Sequence, residues 1–211
     1  MVDNRTSNPV PAGIYIEFIC LFVILPLLYA TDLVFIPKVI PLIVLFVYCL
    51  GILIAHRRHS TVWLRMQANW KLIIIRFILI NIAVAAAIVV FSSHPLLADF
   101  QSNRKLLLMV LLYPFFSAFP QELIYREFFF YRYRNVFRKP QTLIAVNIIL
   151  FAFAHVYFMN WIVIVFTLVG GALFALTYHQ TRSLLVVTVE HAIYGLVILS
   201  SGLWEYFYKA F

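Results

Sequence analysis

The stretch WIVIVFTLVGGALFALTY, residues 161–178, contains no charged side chain and approaches the length that a helix needs to cross a lipid bilayer. Six further apolar runs of similar length lie at residues 14–30, 38–55, 72–92, 105–131, 141–158 and 184–201. Pro114 and Pro120 are expected to kink or break the fourth run. Inside a bilayer a helix satisfies its own backbone hydrogen bonds, so the sequence predicts an all-α fold, a polytopic transmembrane helical bundle of about seven spans.

The composition of the whole chain also indicates a membrane protein. Of 211 residues, 64% are hydrophobic and only 11% are charged, whereas soluble domains carry roughly a quarter charged residues. The net charge of +8 would fit a nucleic-acid-binding protein, but the basic residues cluster in short loops between apolar runs, as topology signals do. We therefore exclude nucleic acid as a partner and expect the lipid bilayer to surround the protein.

The basic residues also predict the orientation of the chain. If the N-terminus is cytoplasmic, ten lysines and arginines fall on the cytoplasmic side and four on the other side. Most of the ten lie in HRRHSTVWLRMQANWK (residues 56–71) and YRYRNVFRKP (residues 131–140). Because cytoplasmic loops are enriched in Lys and Arg, we predict a cytoplasmic N-terminus.

Seven ionisable side chains within the predicted spans are candidates for a site, because a charge in a span costs about 2.5–3.5 kcal/mol on insertion scales and is by default functional. They are Arg76, Glu122, Arg126, Glu127, His155, Glu190 and His191. Arg76 is close enough to the end of its span to reach the cytoplasmic surface, and Glu127 is expected to face the interface. The aromatic residues of EFFFYRYR (residues 127–134) are expected to contact lipid, with a substrate entrance as the alternative.

The other candidates lie on three different spans. Glu122 and Arg126 are four residues apart on the fourth span, and Phe151 and His155 have the same spacing on the fifth. This spacing places both members of a pair on one face of a helix. At a rise of about 1.5 Å per residue, Glu122, His155 and His191 reach a similar depth in the bilayer. We therefore predict that these three groups share one site near mid-membrane.

A buried carboxylate beside two imidazoles is suited to activating water. Burial makes a carboxylate more basic, while a neighbouring guanidinium keeps it ionised, so Glu122 would take a proton from water with Arg126 as its support. The hydroxide would attack an amide carbonyl, and His155 or His191 would donate a hydrogen bond to the oxyanion. Two histidines and a glutamate can also bind zinc, but Glu122 cannot easily be both ligand and base. We therefore expect no cofactor and keep zinc as the alternative.

Three short segments resemble the motifs of a known family. They are QELIYR (residues 121–126), FAFAH (residues 151–155) and HAIYG (residues 191–195). Their order resembles the CPBP intramembrane proteases, which include the CAAX prenyl endopeptidases and the bacteriocin-processing or self-immunity proteins of the Abi family. In that family the motifs read Glu-Glu-x-x-x-Arg, Phe-x-x-x-His and His-x-x-x-Asn. The resemblance divides the chain into a three-span region without a recognised motif, residues 1–104, and a CPBP-like catalytic helical core, residues 105–211.

The resemblance implies an integral-membrane endopeptidase that hydrolyses a peptide bond of a membrane-associated peptide or protein. It implies that Glu122 activates water, that Arg126 supports Glu122, and that His155 and His191 complete the site. It also implies a bacterial-type inner (plasma) membrane as the location of the protein.

Two positions depart from the family pattern. The first Glu of motif one is Gln121, which leaves the Glu assigned to catalysis in place. The polar residue that ends motif three is Gly195, so an expected oxyanion donor is missing. Asn147 and Tyr194 are the candidates to replace it, and Phe151 is expected to support the substrate beside them.

The departure at Gly195 leaves a second function open, a non-catalytic immunity or binding protein on the same scaffold. A third function, a small proton-coupled transporter, would use Glu122 and the histidines as a proton relay. Such transporters are typically built from inverted repeats, and the sequence shows no such internal symmetry. We therefore rank hydrolysis first and transport last.

Overall fold

The computed structural model describes residues 9–31, 33, 36–37, 39–56, 70–91, 104–199 and 207. The α-helices are α1 (Ala12–Ile19), α2 (Leu25–Ala30), α3 (Val39–Ala55), α4 (Trp70–Phe91), α5 (Arg104–Tyr113), α6 (Phe119–Glu122), α7 (Phe129–Arg132), α8 (Arg134–Phe137), α9 (Pro140–Phe153), α10 (Trp161–Thr181) and α11 (Leu184–Leu199). No strand occurs in the described ranges, so the predicted all-α class is confirmed there. Most of the basic loop at residues 56–71 lies outside the described residues, and the predicted orientation stays a prediction.

Several helices have the length and apolar surface of membrane spans. In the described part of the chain, three helical segments are long and apolar enough to cross a bilayer, namely Ala12–Ala30, Pro140–Phe158 and Trp161–Thr181. Val39–Ala55, Ile74–Ala83 and Leu184–Ile198 are shorter apolar helices. Large apolar side chains such as Ile16 and Val44, each 63% exposed, cover the outer surface, and a surface of this kind requires lipid around it. The protein is therefore an integral membrane protein, although the predicted number of seven spans is not confirmed.

The fourth predicted span is one continuous helix over residues 104–132 that widens twice. The π-helical segment Pro114–Ala118 joins α5 to α6, and the π-helical segment Leu123–Phe128 joins α6 to α7. A proline ring collides with the carbonyl of an earlier turn, and a π-helical turn provides the extra space. The prolines therefore coincide with widened turns. Of the expected kink or break, the break does not occur over residues 104–132, and the kink stays a prediction.

This helix forms the centre of the bundle. Every residue from 122 to 130 is buried. The Phe129 ring packs edge-on against Phe22 at 5.3 Å, and the Phe128 ring lies 6.3 Å from that of Tyr48 on α3. The expectation that these aromatic residues contact lipid is wrong, because the N-terminal helices pack over them. Apolar content alone does not distinguish these two environments, since a lipid tail is as apolar as a core side chain.

Two charged side chains that were expected at the membrane surface have partners on other helices. Glu127 is only 4% exposed and accepts a hydrogen bond from the Tyr178 hydroxyl, but it lies near the helix ends, so its expected interface position stays a prediction. The Arg76 Nη2 atom is 2.9 Å from Oε1 of Glu190 on α11 and also donates to the Thr177 hydroxyl. The expectation that Arg76 reaches for the cytoplasmic surface is therefore wrong, because its guanidinium pairs with a buried carboxylate.

Candidate active site

Glu122 and His191 form a hydrogen-bonded pair between α6 and α11. Glu122 is fully buried, and its Oε1 atom accepts a hydrogen bond from Nδ1 of His191 at 2.7 Å. Because Nδ1 donates to the carboxylate, Nε2 is the nitrogen of this ring that remains to accept a proton. The predicted acid and one of the two predicted imidazoles are thus in direct contact.

Arg126 supports Glu122 from within the same helix. Its Nε atom is 3.1 Å from Glu122 Oε2, an ion-pair distance without the alignment of a hydrogen bond. Its Nη1 atom donates to Oδ1 of Asn147 at 2.8 Å, and its guanidinium lies 4.8 Å from the centre of the Phe151 ring. Arg126 is fully buried, so these contacts compensate for its loss of hydration. They place the positive charge beside the carboxylate.

Asn147 holds Arg126 in position and is not free to act on a substrate. Its Oδ1 atom accepts from Arg126, and its Nδ2 atom donates to the backbone carbonyl of Tyr125 at 2.6 Å. The residue is fully buried. The expectation that Asn147 replaces the missing oxyanion donor is corrected accordingly, because the amide is already committed to two protein partners. We assign it as a positioning residue.

Replacing Asn147 by Ala should lower the free energy of unfolding by about 2–4 kcal/mol, because a charged donor and a carbonyl would lose their buried partner. Chemical unfolding of the purified protein in detergent micelles measures this change. Asn81→Ala is the control, since the Asn81 amide donates only to Phe77 of its own helix. An equal cost for the two variants would contradict the assigned role of Asn147.

A cavity of about 560 Å³ lies beside the Glu122–His191 pair. Its wall includes His191, His155, Phe151 and Tyr194, and most of the wall is apolar. Glu122 is not part of that wall, since it lies behind His191 and is fully buried. A volume of this size is typical of ligand sites, which combine an apolar lining with a few polar groups. The structure thus brings both predicted imidazoles to one cavity.

His155 reaches the cavity from just beyond the end of α9. Its Nδ1 atom lies 2.7 Å from the carbonyl oxygen of Phe151, and since a carbonyl only accepts, Nδ1 carries the proton. The rings of His155 and Phe151 are 5.0 Å apart, so the two side chains lie together as predicted, although His155 follows the last residue of the helix. In the neutral form, Nε2 of His155 is therefore an acceptor, like Nε2 of His191.

Tyr113 occupies the place of the side chain that Gly195 lacks. A Cβ atom on Gly195 would lie at 2.3 Å from both the hydroxyl oxygen and a ring carbon of Tyr113, a distance that no real pair of atoms tolerates. Tyr113 also lines the cavity, and its ring is 6.0 Å from that of His191. Sequence reasoning missed Tyr113. The glycine at position 195, where a polar residue was expected, indicated that another side chain could fill that space. It did not indicate that the side chain would be Tyr113.

Tyr194, the other predicted replacement, lines the cavity but has a partner for its hydroxyl. The hydroxyl donates to Glu190 Oε1 at 3.2 Å, and the same oxygen pairs with Arg76. The ring stacks at 5.5 Å on Phe77 and at 6.0 Å on Phe174. This arrangement favours a structural contribution of Tyr194 to the cavity wall.

The alternative of a zinc site stays a prediction. No group of three or more His, Cys, Asp or Glu side chains is arranged to hold a metal ion within the part of the chain that the structure describes. Because Nδ1 of His191 donates its proton to Glu122 Oε1 at 2.7 Å, that nitrogen has no lone pair for a metal ion in this arrangement. We therefore derive no reaction step through a metal.

The apolar helices and the enclosed polar pair define an integral membrane protein with a site inside the bundle. Residues 103–197 match the family model described as Type II CAAX prenyl endopeptidase Rce1-like. The match covers somewhat less than half of the chain, and it supports the resemblance to the CPBP and CAAX proteases that the three motifs carry. The family implies a membrane protease, that is, a peptide hydrolase with a membrane-associated substrate.

Searches of curated proteins and of solved structures found no significant match. The match of the family model includes all three motifs together with Tyr113 and Gly195. The division of the chain at residue 104 stays a prediction.

Proposed function

We propose that the protein is an intramembrane endopeptidase in which the Glu122–His191 pair activates water to hydrolyse a peptide bond of a membrane-associated substrate. The observation that carries the proposal is the 2.7 Å hydrogen bond between Glu122 Oε1 and His191 Nδ1 at the wall of a 560 Å³ cavity. A carboxylate that accepts a hydrogen bond from one ring nitrogen orients the imidazole. It also stabilises the positive charge that forms when the other ring nitrogen accepts a proton. The family match supports peptide hydrolysis as the reaction.

In the reaction, a water molecule in the cavity gives a proton to Nε2 of His191 and adds its oxygen to the carbonyl carbon. Glu122 stabilises the imidazolium that results. The bond between carbon and nitrogen then breaks, and the imidazolium returns the proton to the leaving amine. This differs from the expectation that Glu122 takes the proton from water directly, because Glu122 is fully buried behind His191.

The oxyanion that forms at the carbonyl needs a hydrogen-bond donor. Neutral His155 and His191 present acceptors to the cavity, because the Nδ1 proton of each is used by Phe151 and Glu122, respectively. Tyr113 lines the cavity, and its hydroxyl occupies the space that a side chain at position 195 would fill. Position 195 is one helical turn after His191 on α11. We therefore assign Tyr113 as the oxyanion donor and His155 as an acceptor that orients the water.

Hydrolysis itself can be tested with purified protein in liposomes and a panel of membrane-tethered peptides, prenylated and unprenylated, in water enriched in oxygen-18. We expect each cleavage to place one heavy oxygen in the new carboxyl group, as mass spectrometry would detect, and the rate to be the same with and without a chelator. Loss of cleavage with chelator and its return with zinc would support the metal alternative. Tracer uptake into sealed liposomes without any cleavage would support a transporter and contradict the proposal.

A further inference from the structure

A second pocket, of about 380 Å³, lies where three helices end. The end of α7, the start of α9 and the end of α10 meet there, and the lining is mainly polar. Four cationic side chains contribute to the lining, from two separate segments of the chain, namely Arg134, Arg138, Lys139 and Arg182. None of the residues assigned to the reaction contributes to it.

The charge of this pocket is strongly positive. Glu127 is the carboxylate in the lining and accepts a hydrogen bond from Tyr178. Among the described residues, four cations and one carboxylate, with His179 neutral, give the lining a net charge of +3. Within the described ranges, none of the four cations lies within ion-pair distance of a carboxylate. A concave site with this charge balance attracts an anion.

Aromatic rings hold two of the guanidiniums without using their N–H groups in ion pairs. Arg134 lies 5.8 Å from the centre of the Tyr131 ring, and Arg182 lies 6.0 Å from the rings of both Phe130 and Tyr178. Such stacking orients a guanidinium and leaves N–H groups available for hydrogen bonds to a phosphate. One of these groups of Arg182, at Nη2, lies 3.4 Å from Nδ1 of His179. The pocket is thus ordered in advance for an oxyanion with several acceptor oxygens.

The location of the pocket indicates the source of the anion. Apolar spans end where the hydrocarbon gives way to the headgroups, and lipid phosphates lie at that level. Leu185, close after the pocket residue Arg182, is 49% exposed and offers an apolar surface for an acyl chain. We propose that this pocket binds the phosphate of an anionic phospholipid headgroup. The inference goes beyond the proposed function and stands without it.

Arg182→Gly is the variant that tests this proposal without harming the fold. Arg182 has a φ of 52°, a left-handed conformation that glycine adopts without strain. The variant thus removes a pocket charge and should keep or raise the thermal stability of the lipid-free protein. Lys71→Gln removes one charge from an exposed position elsewhere, and Arg182→Lys keeps the charge in the pocket.

The measurement is native mass spectrometry and thermal unfolding in detergent with added phosphatidylglycerol or phosphatidylcholine of the same acyl chains. We expect the wild type, Lys71→Gln and Arg182→Lys to bind phosphatidylglycerol more tightly than phosphatidylcholine. In Arg182→Gly the ratio of the two affinities should fall about fivefold, which is the contribution of one basic side chain near a charged lipid surface. An equal loss in Lys71→Gln, or no loss in Arg182→Gly, would overturn the proposal. A parallel titration with soluble glycerol phosphate shows whether the phosphate must belong to a lipid. If glycerol phosphate bound as tightly as phosphatidylglycerol, the assignment to a lipid would be overturned.

Discussion

Glu122→Gln is expected to slow peptide cleavage by about a thousandfold, within the range that general acid–base catalysis contributes, because the base His191 loses the carboxylate that supports it. The substitution keeps the shape of the side chain but removes the negative charge that stabilises protonated His191. It also leaves the guanidinium of Arg126, fully buried beside it, without a counter-charge, so thermal unfolding must be recorded for each variant. The measurement is the single-turnover rate on the peptide that the wild type cleaves in the oxygen-18 experiment.

Glu127→Gln is the matched control for this experiment. Glu127 lies on the same helix, is 4% exposed and also hydrogen bonds to another helix, but it is absent from the wall of the 560 Å³ cavity. We expect it to keep most of the cleavage activity. Cleavage by Glu122→Gln at the rate of this control would remove Glu122 from the reaction. Peptide binding that survives in Glu122→Gln, with no cleavage by the wild type, would instead favour a binding or immunity protein.

Gly195→Ala is expected to lower cleavage about a hundredfold, the cost of removing one oxyanion donor. The new methyl group would collide with Tyr113, whose nearest atoms lie at 2.3 Å from its position, and would move the hydroxyl away from the reacting carbonyl. The collision should also lower the free energy of unfolding by about 1–3 kcal/mol, as overpacking does. Cleavage rates and chemical unfolding of the same preparation give both values.

Two further variants separate the hydroxyl of Tyr113 from its ring. Tyr113→Phe keeps the ring, so it should lose about a hundredfold in cleavage rate with nearly unchanged stability. In a Tyr113→Ala background the stability cost of Gly195→Ala should disappear, because the ring that it meets is gone. Gly51→Ala is the control for adding a methyl group to a helix, since nothing lies within 4 Å of that position. Full activity of Tyr113→Phe would rule out the hydroxyl as the donor.

The sequence predicted the parts of the site that depend on spacing along one helix. Glu122 and Arg126 were expected on one face because they are four residues apart, and their 3.1 Å contact agrees with that geometry. The match of three ordered motifs located His155 and His191. The hydrogen bond between Glu122 and His191 joins residues that are 69 positions apart in the sequence. Only the packing of α6 against α11 shows that the carboxylate lies behind the imidazole.

The contribution of Tyr113 could not be predicted in the same way. No pattern connects it to Gly195, because the contact depends on how α5 packs against α11 and on the π-helical segment that follows Tyr113. The pairing of Arg76 with Glu190 was missed for a related reason. A charged residue near the end of a span can reach water or a partner on another helix, and the sequence does not say which helix is adjacent.

The ion pair between Arg76 and Glu190 has a consequence for how the chain is made. The two residues are 114 positions apart, so α4 is synthesised long before the helix that supplies its counter-charge. Arg76 can therefore form this ion pair only after α11 has been synthesised and has entered the bundle. Before that point its charge depends on water or lipid headgroups near the end of α4.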